Sequence, residues 1–298
     1  MSQPIVLIGV PTALGGHLGG MEQAPSGLRA AGLLERLPAP LVDVGDVDIE
    51  PGFREDPDRR AKNRDLIAAF LPRERDRIAA ALGETGTDGR LLVLGGDCTA
   101  HAGALAGLAR ARPAERLAIA WFDAHGDYNT PDTTASGNVW GMPFAMLCGR
   151  GDGDLVAAAD GPTVRPTSAA LLGAQVLDEQ ESRMLTTDGV AQFGSGMLAT
   201  RAGQAALAAW AASTGETVDG LYIAVDFDVL DAGGNWAVQM PEPDGLSLET
   251  AVAAVEALRA GGAPVVGFGA TGINLRNGGD VERTVEAVAQ LAGAALGG

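Results

Sequence analysis

The feature that most limits what this chain can fold into is an alternation running its whole length. Short, continuously apolar segments trade places with Ala- and Leu-rich segments of helical length. A strand that is apolar at every position suits a parallel sheet covered on both faces, because neither face of such a strand meets water. Strands are expected at Ile5–Val10, Leu41–Val44, Leu91–Leu94, Leu117–Asp123, Ala170–Val176, Leu221–Asp228 and Val265–Ala270. Helices are expected at Gly27–Leu37, Lys62–Leu82, Ala102–Arg112, Ala202–Ser213, Ser247–Ala260 and Asp280–Leu296. Ser247 and Asp280 head the last two, where a side-chain oxygen can accept from a free N–H of the first turn. The expected fold class is α/β, a three-layer αβα arrangement about a mainly parallel central sheet. No linker-like stretch or internal repeat interrupts residues 1–298, so a single domain is expected.

Charge and composition exclude several functions. The 298 residues carry 38 acidic against 21 basic side chains, a net charge of −17. Nucleic acid and anionic membrane both need basic surfaces, so neither is expected as a partner. Aromatic residues make up only 4% of the chain, too few for base-stacking platforms. No stretch approaches the roughly 20 apolar residues of a membrane span. The opening MSQPIVLIGV lacks the basic region and cleavage site of a secretory signal, and Cys98 and Cys148 form no CxxC pair. A soluble, reducing, cytoplasmic setting is the expectation.

Open parallel sheets place their chemistry at the carboxyl ends of the strands. Three of those ends carry unusual residues. Leu91–Leu94 runs into Gly95-Gly96-Asp97-Cys98-Thr99-Ala100-His101. Phe122 is followed by Asp123-Ala124-His125-Gly126-Asp127-Tyr128-Asn129, and the strand from Leu221 closes on Asp226-Phe227-Asp228. In extended backbone a period of two puts Asp123, His125 and Asp127 on one face, and does the same for Asp226 and Asp228 on another strand. Four carboxylates converging on one pocket repel one another unless a positive centre sits among them. Oxygen ligands with one imidazole suit Mn(II), Fe(II) or Zn(II), so a divalent metal, and more readily two, is expected there.

The motifs taken together resemble the ureohydrolase family, which includes arginase, agmatinase, guanidinobutyrase and formimidoylglutamase. They are Gly9-Val10-Pro11, Gly15-Gly16, Ala24-Pro25-Ser26-Gly27-Leu28-Arg29, GGDC at 95–98, DAHGDYN at 123–129, SGNVWGMP at 136–143 and DFD at 226–228, and they cover nearly the whole chain. The resemblance implies an arginase-like version of the fold. It also implies hydrolysis of a guanidino or amidino C–N bond by water activated between two Mn(II) ions. By position, Asp123 and Asp226 would bridge the ions, Asp127 with Cys98 would complete one, and His125 with Asp228 the other. Asp127 would also relay a proton to the departing amine. Asn129, Ser136 and Asn138 resemble the family's ligands for an amino acid's α-carboxylate, and Asp178 and Glu181 the acids that hold its α-amino group. The residues alone also leave open that Ser136 and Asn138 shape a turn. The implied partner is a small guanidino amino acid, and a homo-oligomer is possible by the same resemblance.

Four positions depart from the family pattern. Cys98 stands where a metal-binding histidine is usual, and it is read either as a thiolate ligand or as a small buried hydrophobe. Trp140 stands where arginases carry a proton-shuttling histidine, and an indole there can wall the pocket. Gly272 stands where the family's guanidinium-pairing glutamate falls, and Gln239-Met240-Pro241 replaces Gly-Thr-Pro. A GGDC-bearing branch of the family is associated with hydrolysing Nω-hydroxy-L-arginine to hydroxyurea and L-ornithine in D-cycloserine-type antibiotic biosynthesis. The resemblance therefore implies L-arginine or a modified arginine as substrate, with Nω-hydroxy-L-arginine favoured. Another guanidino or amidino compound stays open, as does a catalytically inactive scaffold. His101 is expected on a helix surface unless it supports the metal, His17 on a surface loop, and Cys148 in the core.

Overall fold

The computed structural model describes residues 3–85 and 89–297. Eight strands form one sheet: β1 (Ile5–Val10), β2 (Leu41–Asp46), β3 (Arg90–Gly95), β4 (Leu117–Phe122), β5 (Val164–Leu172), β6 (Ala191–Phe193), β7 (Gly220–Asp226) and β8 (Val265–Thr271). Their order across the sheet is β2-β1-β3-β8-β7-β4-β5-β6, and every pairing is parallel. The three-layer α/β expectation holds, with a sheet that is wholly rather than mainly parallel.

Helices cover both faces: α1 (Ala24–Ala30), α2 (Arg64–Thr85), α3 (Thr99–Ala111), α4 (Pro143–Leu147), α5 (Gly153–Ala158), α6 (Glu179–Asp188), α7 (Ser195–Leu198), α8 (Arg201–Gly215), α9 (Leu248–Ala260) and α10 (Val281–Leu296). Alternate residues of the central strands feed two cores. Leu92 and Leu94 of β3 and Ile223 and Val225 of β7 pack with α1, α8, α9 and α10. Leu91 and Val93, with Tyr222 and Ala224, pack with α2, α3, α4 and α5 on the other side. The unbroken apolar runs of the sequence are thus strands buried twice over. Ser247 accepts from the Thr250 N–H at 3.1 Å and Asp280 from the Arg283 N–H at 3.0 Å, so both expected caps form.

Several boundaries differ from the sequence expectation. The helix expected over Gly27–Leu37 is α1 followed, past a turn at Gly32, by a single 3₁₀ turn at Leu34–Arg36. The strand expected over Ala170–Val176 begins earlier and stops at Leu172, because Gly173 takes φ 87° and turns the chain out of the sheet. Helix α3 starts at Thr99 rather than Ala102, which puts His101 in its first turn. No element was expected over α6 or β6. One is a mostly polar helix that buries only Glu181 and Leu185, and the other has three residues.

Candidate metal centre

In the order β3-β8-β7-β4, four neighbouring strands deliver their carboxyl ends to one place. Cys98 follows β3, Asp226 ends β7, Asp123 follows β4, and Gly272 follows β8. All eleven residues singled out from sequence line a single cavity of about 420 Å³: Cys98, Asp123, His125, Asp127, Asn129, Ser136, Asn138, Asp178, Glu181, Asp226 and Asp228.

The route by which the acids converge differs from the expected one. Asp123, His125 and Asp127 do not lie along an extended strand, since β4 stops at Phe122 and Asp127 takes φ 47°. Strand β7 likewise ends at Asp226, whose carboxylate caps a 3₁₀ turn at Phe227–Val229 by accepting from the Asp228 N–H at 2.9 Å. Past that turn Asp226 and Asp228 still line the same cavity. The convergence holds; the period-two reason for it does not.

Two groups of side chains have the spacing of a cation cage. Single ligand atoms of Cys98, Asp123 and Asp226 lie within 4.8 Å of one another, and so do those of Asp123, His125 and Asp228. Cys98 Sγ sits 2.8 Å from Asp226 Oδ2. His125 Nδ1 is 3.3 Å from Asp123 Oδ1 and 3.1 Å from Asp228 Oδ2. Asp127 is buried beside both groups, and its Oδ2 has no hydrogen-bond partner.

Crowding of like charge leaves its mark on protonation. Burial, then the charges of Asp123 and Asp226, holds the Asp127 carboxyl well above its ordinary value. Burial with Asp228 and Asp123 does the same to Asp226, and burial with Asp123 lifts Asp228 to about 6. The Cys98 thiol is pushed up by burial and by Asp226, Asp127 and Asp123. Burial opposes charge on His125, but its hydrogen bonds to Asp123 and Asp228 outweigh that and raise its pKa. Such a set of donors fits divalent cations, which would turn mutual repulsion into shared attraction.

Around the mouth the polar residues already hold one another. Asn129 Nδ2 donates to Asp178 Oδ2 at 3.0 Å. Glu181 Oε1 accepts from the Tyr128 N–H at 2.8 Å and its Oε2 from the Asp178 N–H at 3.3 Å, while burial lifts its pKa to about 7. Ser136 Oγ accepts from the Asn138 N–H at 3.2 Å, which is the turn-shaping role the residues left open. Asn138 Nδ2 lies 3.2 Å from His17 Nδ1, and its buried Oδ1 has no partner. Trp140 lines the wall, with His17 5.6 Å away between ring centroids. His17 is exposed at that mouth.

One expectation is overturned, and a layer behind the candidate ligands was missed. His101 is not on a helix surface: it is fully buried, with Nδ1 3.0 Å from Tyr222 Oη and Nε2 3.0 Å from Thr271 Oγ1. Trp121 Nε1 donates to Asp123 Oδ2 at 3.0 Å, and Glu242 Oε1 lies 3.6 Å from His125 Nε2. The three-residue spacing of Cys98 and His101 was a helical signal for the first of these, whereas Glu242 sits in an irregular loop with none. Cys148 is buried behind Tyr128 as expected, and burial pushes its thiol up to about 12.

The arginase family model matches residues 3–297. The chain belongs to the arginase family. It is an enzyme of the ureohydrolase kind, acting on guanidino C–N bonds. It is 34% identical to an arginase of Bacillus caldovelox over 263 residues, 86% of each chain, and 31% identical to an arginase of Bacillus subtilis over 262 residues, 87% of this chain and 86% of that one. The crystal structure of the Bacillus caldovelox arginase superposes with a TM-score of 0.88 at 29% identity, covering 99% of both chains. Among the described residues no helix is long and apolar enough to cross a membrane.

Proposed function

We propose that this arginase-family hydrolase acts on an arginine-type amino acid and favours Nω-hydroxy-L-arginine, releasing hydroxyurea and L-ornithine. The observation that carries the reading is the base of the pocket. Gly272 occupies the position where the family's guanidinium-pairing glutamate is implied. A Cβ built on Gly272 would lie 2.0 Å from Asp226 Oδ1, and the residue takes φ 73°. No side chain enters there without displacing a candidate ligand, so a permanently cationic guanidinium loses its partner. A buried charge without a partner costs several kcal/mol. The less basic hydroxyguanidine loses far less.

Cys98, Asp123, Asp127, Asp226, His125 and Asp228 would hold two divalent cations, Mn(II) by the family resemblance, with Asp123 and Asp226 shared. When bound, such a pair supplies charge neutralisation and water that gives up a proton near neutral pH. Water oxygen adds to the guanidino carbon, the bond from that carbon to the δ-nitrogen breaks, and the nitrogen leaves as the amine of ornithine. Asp127 is the proton carrier in this reading: the residue lines the cavity, and its buried Oδ2 has no partner. At the mouth, Asn129, Ser136 and Asn138 would bind the α-carboxylate and Asp178 with Glu181 the α-amino group. Trp140, an indole without a transferable ring proton, leaves the proton work to Asp127.

Ornithine release from Nω-hydroxy-L-arginine and from L-arginine, by the Mn(II)-loaded protein, tests the reading. A higher kcat/KM for the hydroxylated substrate is expected. A clear preference for arginine overturns the choice of substrate and leaves the hydrolase standing.

A further inference from the structure

Three buried groups stand in line behind Cys98, and none of them lines the cavity. Thr271 Oγ1 lies 3.3 Å from Cys98 Sγ, His101 Nε2 lies 3.0 Å from Thr271 Oγ1, and Tyr222 Oη lies 3.0 Å from His101 Nδ1. The competing acceptor for the Thr271 proton is the Val225 carbonyl, at 3.4 Å. Burial pushes the His101 pKa down to about 3, so the ring is neutral and offers one N–H and one lone pair.

We propose that His101 is a positioning residue that, with Tyr222 behind it, turns the Thr271 hydroxyl to donate onto the sulfur of a cation-bound Cys98. This rests on the reading that Cys98 ligates.

Counting protons fixes the direction. Thr271 has a single O–H. If it points at the sulfur, its oxygen is free to accept from His101 Nε2–H, and His101 Nδ1 then accepts from the Tyr222 O–H. Every group in the chain donates once, and each ring nitrogen and hydroxyl oxygen between them has a partner. In the opposite direction, Thr271 donates to Nε2 and its fully buried hydroxyl presents oxygen lone pairs to a thiolate 3.3 Å away. That arrangement sets negative against negative and is the costlier one. The same ring also buttresses the neighbouring ligand. His101 packs edge-on against Trp121, with centroids 5.0 Å apart, and Trp121 donates to Asp123. Outer partners of this kind orient metal ligands and typically contribute about 10–100-fold to metal affinity.

The protein loaded with Co(II) reports on the sulfur directly, through its thiolate-to-cobalt charge-transfer band. A donor hydrogen bond lowers the energy of the sulfur lone pairs, so losing it moves that band to longer wavelength. Thr271→Val and His101→Met, which fill space without donating, are expected to shift the band to longer wavelength and to weaken Co(II) binding by about 10–100-fold. Thr271→Ser and His101→Gln keep a donor at the same place and are expected to hold the band near its original position. Tyr222→Phe is expected to give a smaller shift in the same direction. Circular dichroism confirms that each variant is folded, and the two conservative variants carry the test if either apolar one is not.

The outcomes separate the two readings. If the band is present, vanishes in Cys98→Ser, and does not move in His101→Met or Thr271→Val, then Cys98 is a ligand and the positioning role is wrong. Equal displacement by His101→Gln and His101→Met also overturns it, since the ring would then act only by filling space. If the unaltered protein shows no such band, Cys98 does not ligate and both readings fall.

Discussion

The floor of the cavity and its mouth are both built from polar side chains, yet they are in opposite states. At the mouth Asn129 holds Asp178, Glu181 holds two backbone N–H groups and Ser136 holds Asn138, whose Oδ1 is the one exception without a partner there. At the floor the acids crowd one another, Asp127 Oδ2 has no partner, and burial with neighbouring charge lifts Asp127, Asp226 and Asp228 above their ordinary range. A satisfied polar group can be explained by the fold alone. An unsatisfied and repelling one asks for something from outside, and divalent cations would supply it. The contrast separates residues whose loss removes chemistry from residues whose loss removes grip or rigidity.

The largest effect is expected at the floor. Asp226→Ala removes a shared candidate ligand and should cut kcat/KM by about 10³-fold or more, the scale of several kcal/mol of lost charge stabilisation. Metal content should fall with it. Retained activity would put the reacting centre elsewhere.

At the mouth, Asp178→Ala should instead raise KM by about 10–100-fold, the worth of one charge-assisted contact, with kcat little changed. An unchanged KM would mean that the substrate has no amino group to anchor there, which would point to a guanidino compound other than an amino acid.

Glu181→Ala should act on rigidity more than on chemistry. It strands the buried Tyr128 N–H, at a cost of about 1–3 kcal/mol, and calorimetry should show a lower Tm. Glu181→Gln keeps an acceptor and should cost less.

A smaller effect concerns pH. Glu181 and Asp228 have folded pKa values of about 7 and about 6, above their ordinary 4.5 and 3.8. The folded state therefore holds protons that the unfolded chain has released. Stability from this source is present at low pH and is lost as pH rises through the folded values. Protein stripped with a chelator should lose Tm between about pH 5 and about pH 7, and divalent cation should flatten that fall. Acids whose pKa is lowered by arginine, such as Asp188, lose their contribution only below 3.8 and do not disturb this window. A slope unaffected by cation would separate the raised acids from metal binding.

Much of this contrast could be read before any coordinates. The unbroken apolar runs gave the layers of the sheet, because burial on both faces leaves no other pattern. The floor was legible because acids at the ends of apolar strands are costly without a purpose. What escaped was geometry set by turns: Asp127 reaches the cluster through a left-handed backbone position, and Asp228 through a 3₁₀ turn. The supports behind the candidate ligands escaped as well. Trp121, Thr271 and Tyr222 look like ordinary strand residues, and only their register across β4, β7 and β8 turns their polar atoms toward the ligands or toward His101. Helix α6 was missed because it has too few apolar residues to show a buried stripe, although its Glu181 fixes the loop that carries Asp127.

The central claim is that the crowded acids at the strand ends exist to hold two cations. Anomalous scattering at the manganese edge, from crystals of the protein grown with Mn(II), tests it most directly. Two peaks are expected, one against Cys98 and Asp127 and one against His125 and Asp228, with Asp123 and Asp226 touching both. A well-ordered map with no peak among these side chains, their oxygens bound instead to arginines or water, would contradict it.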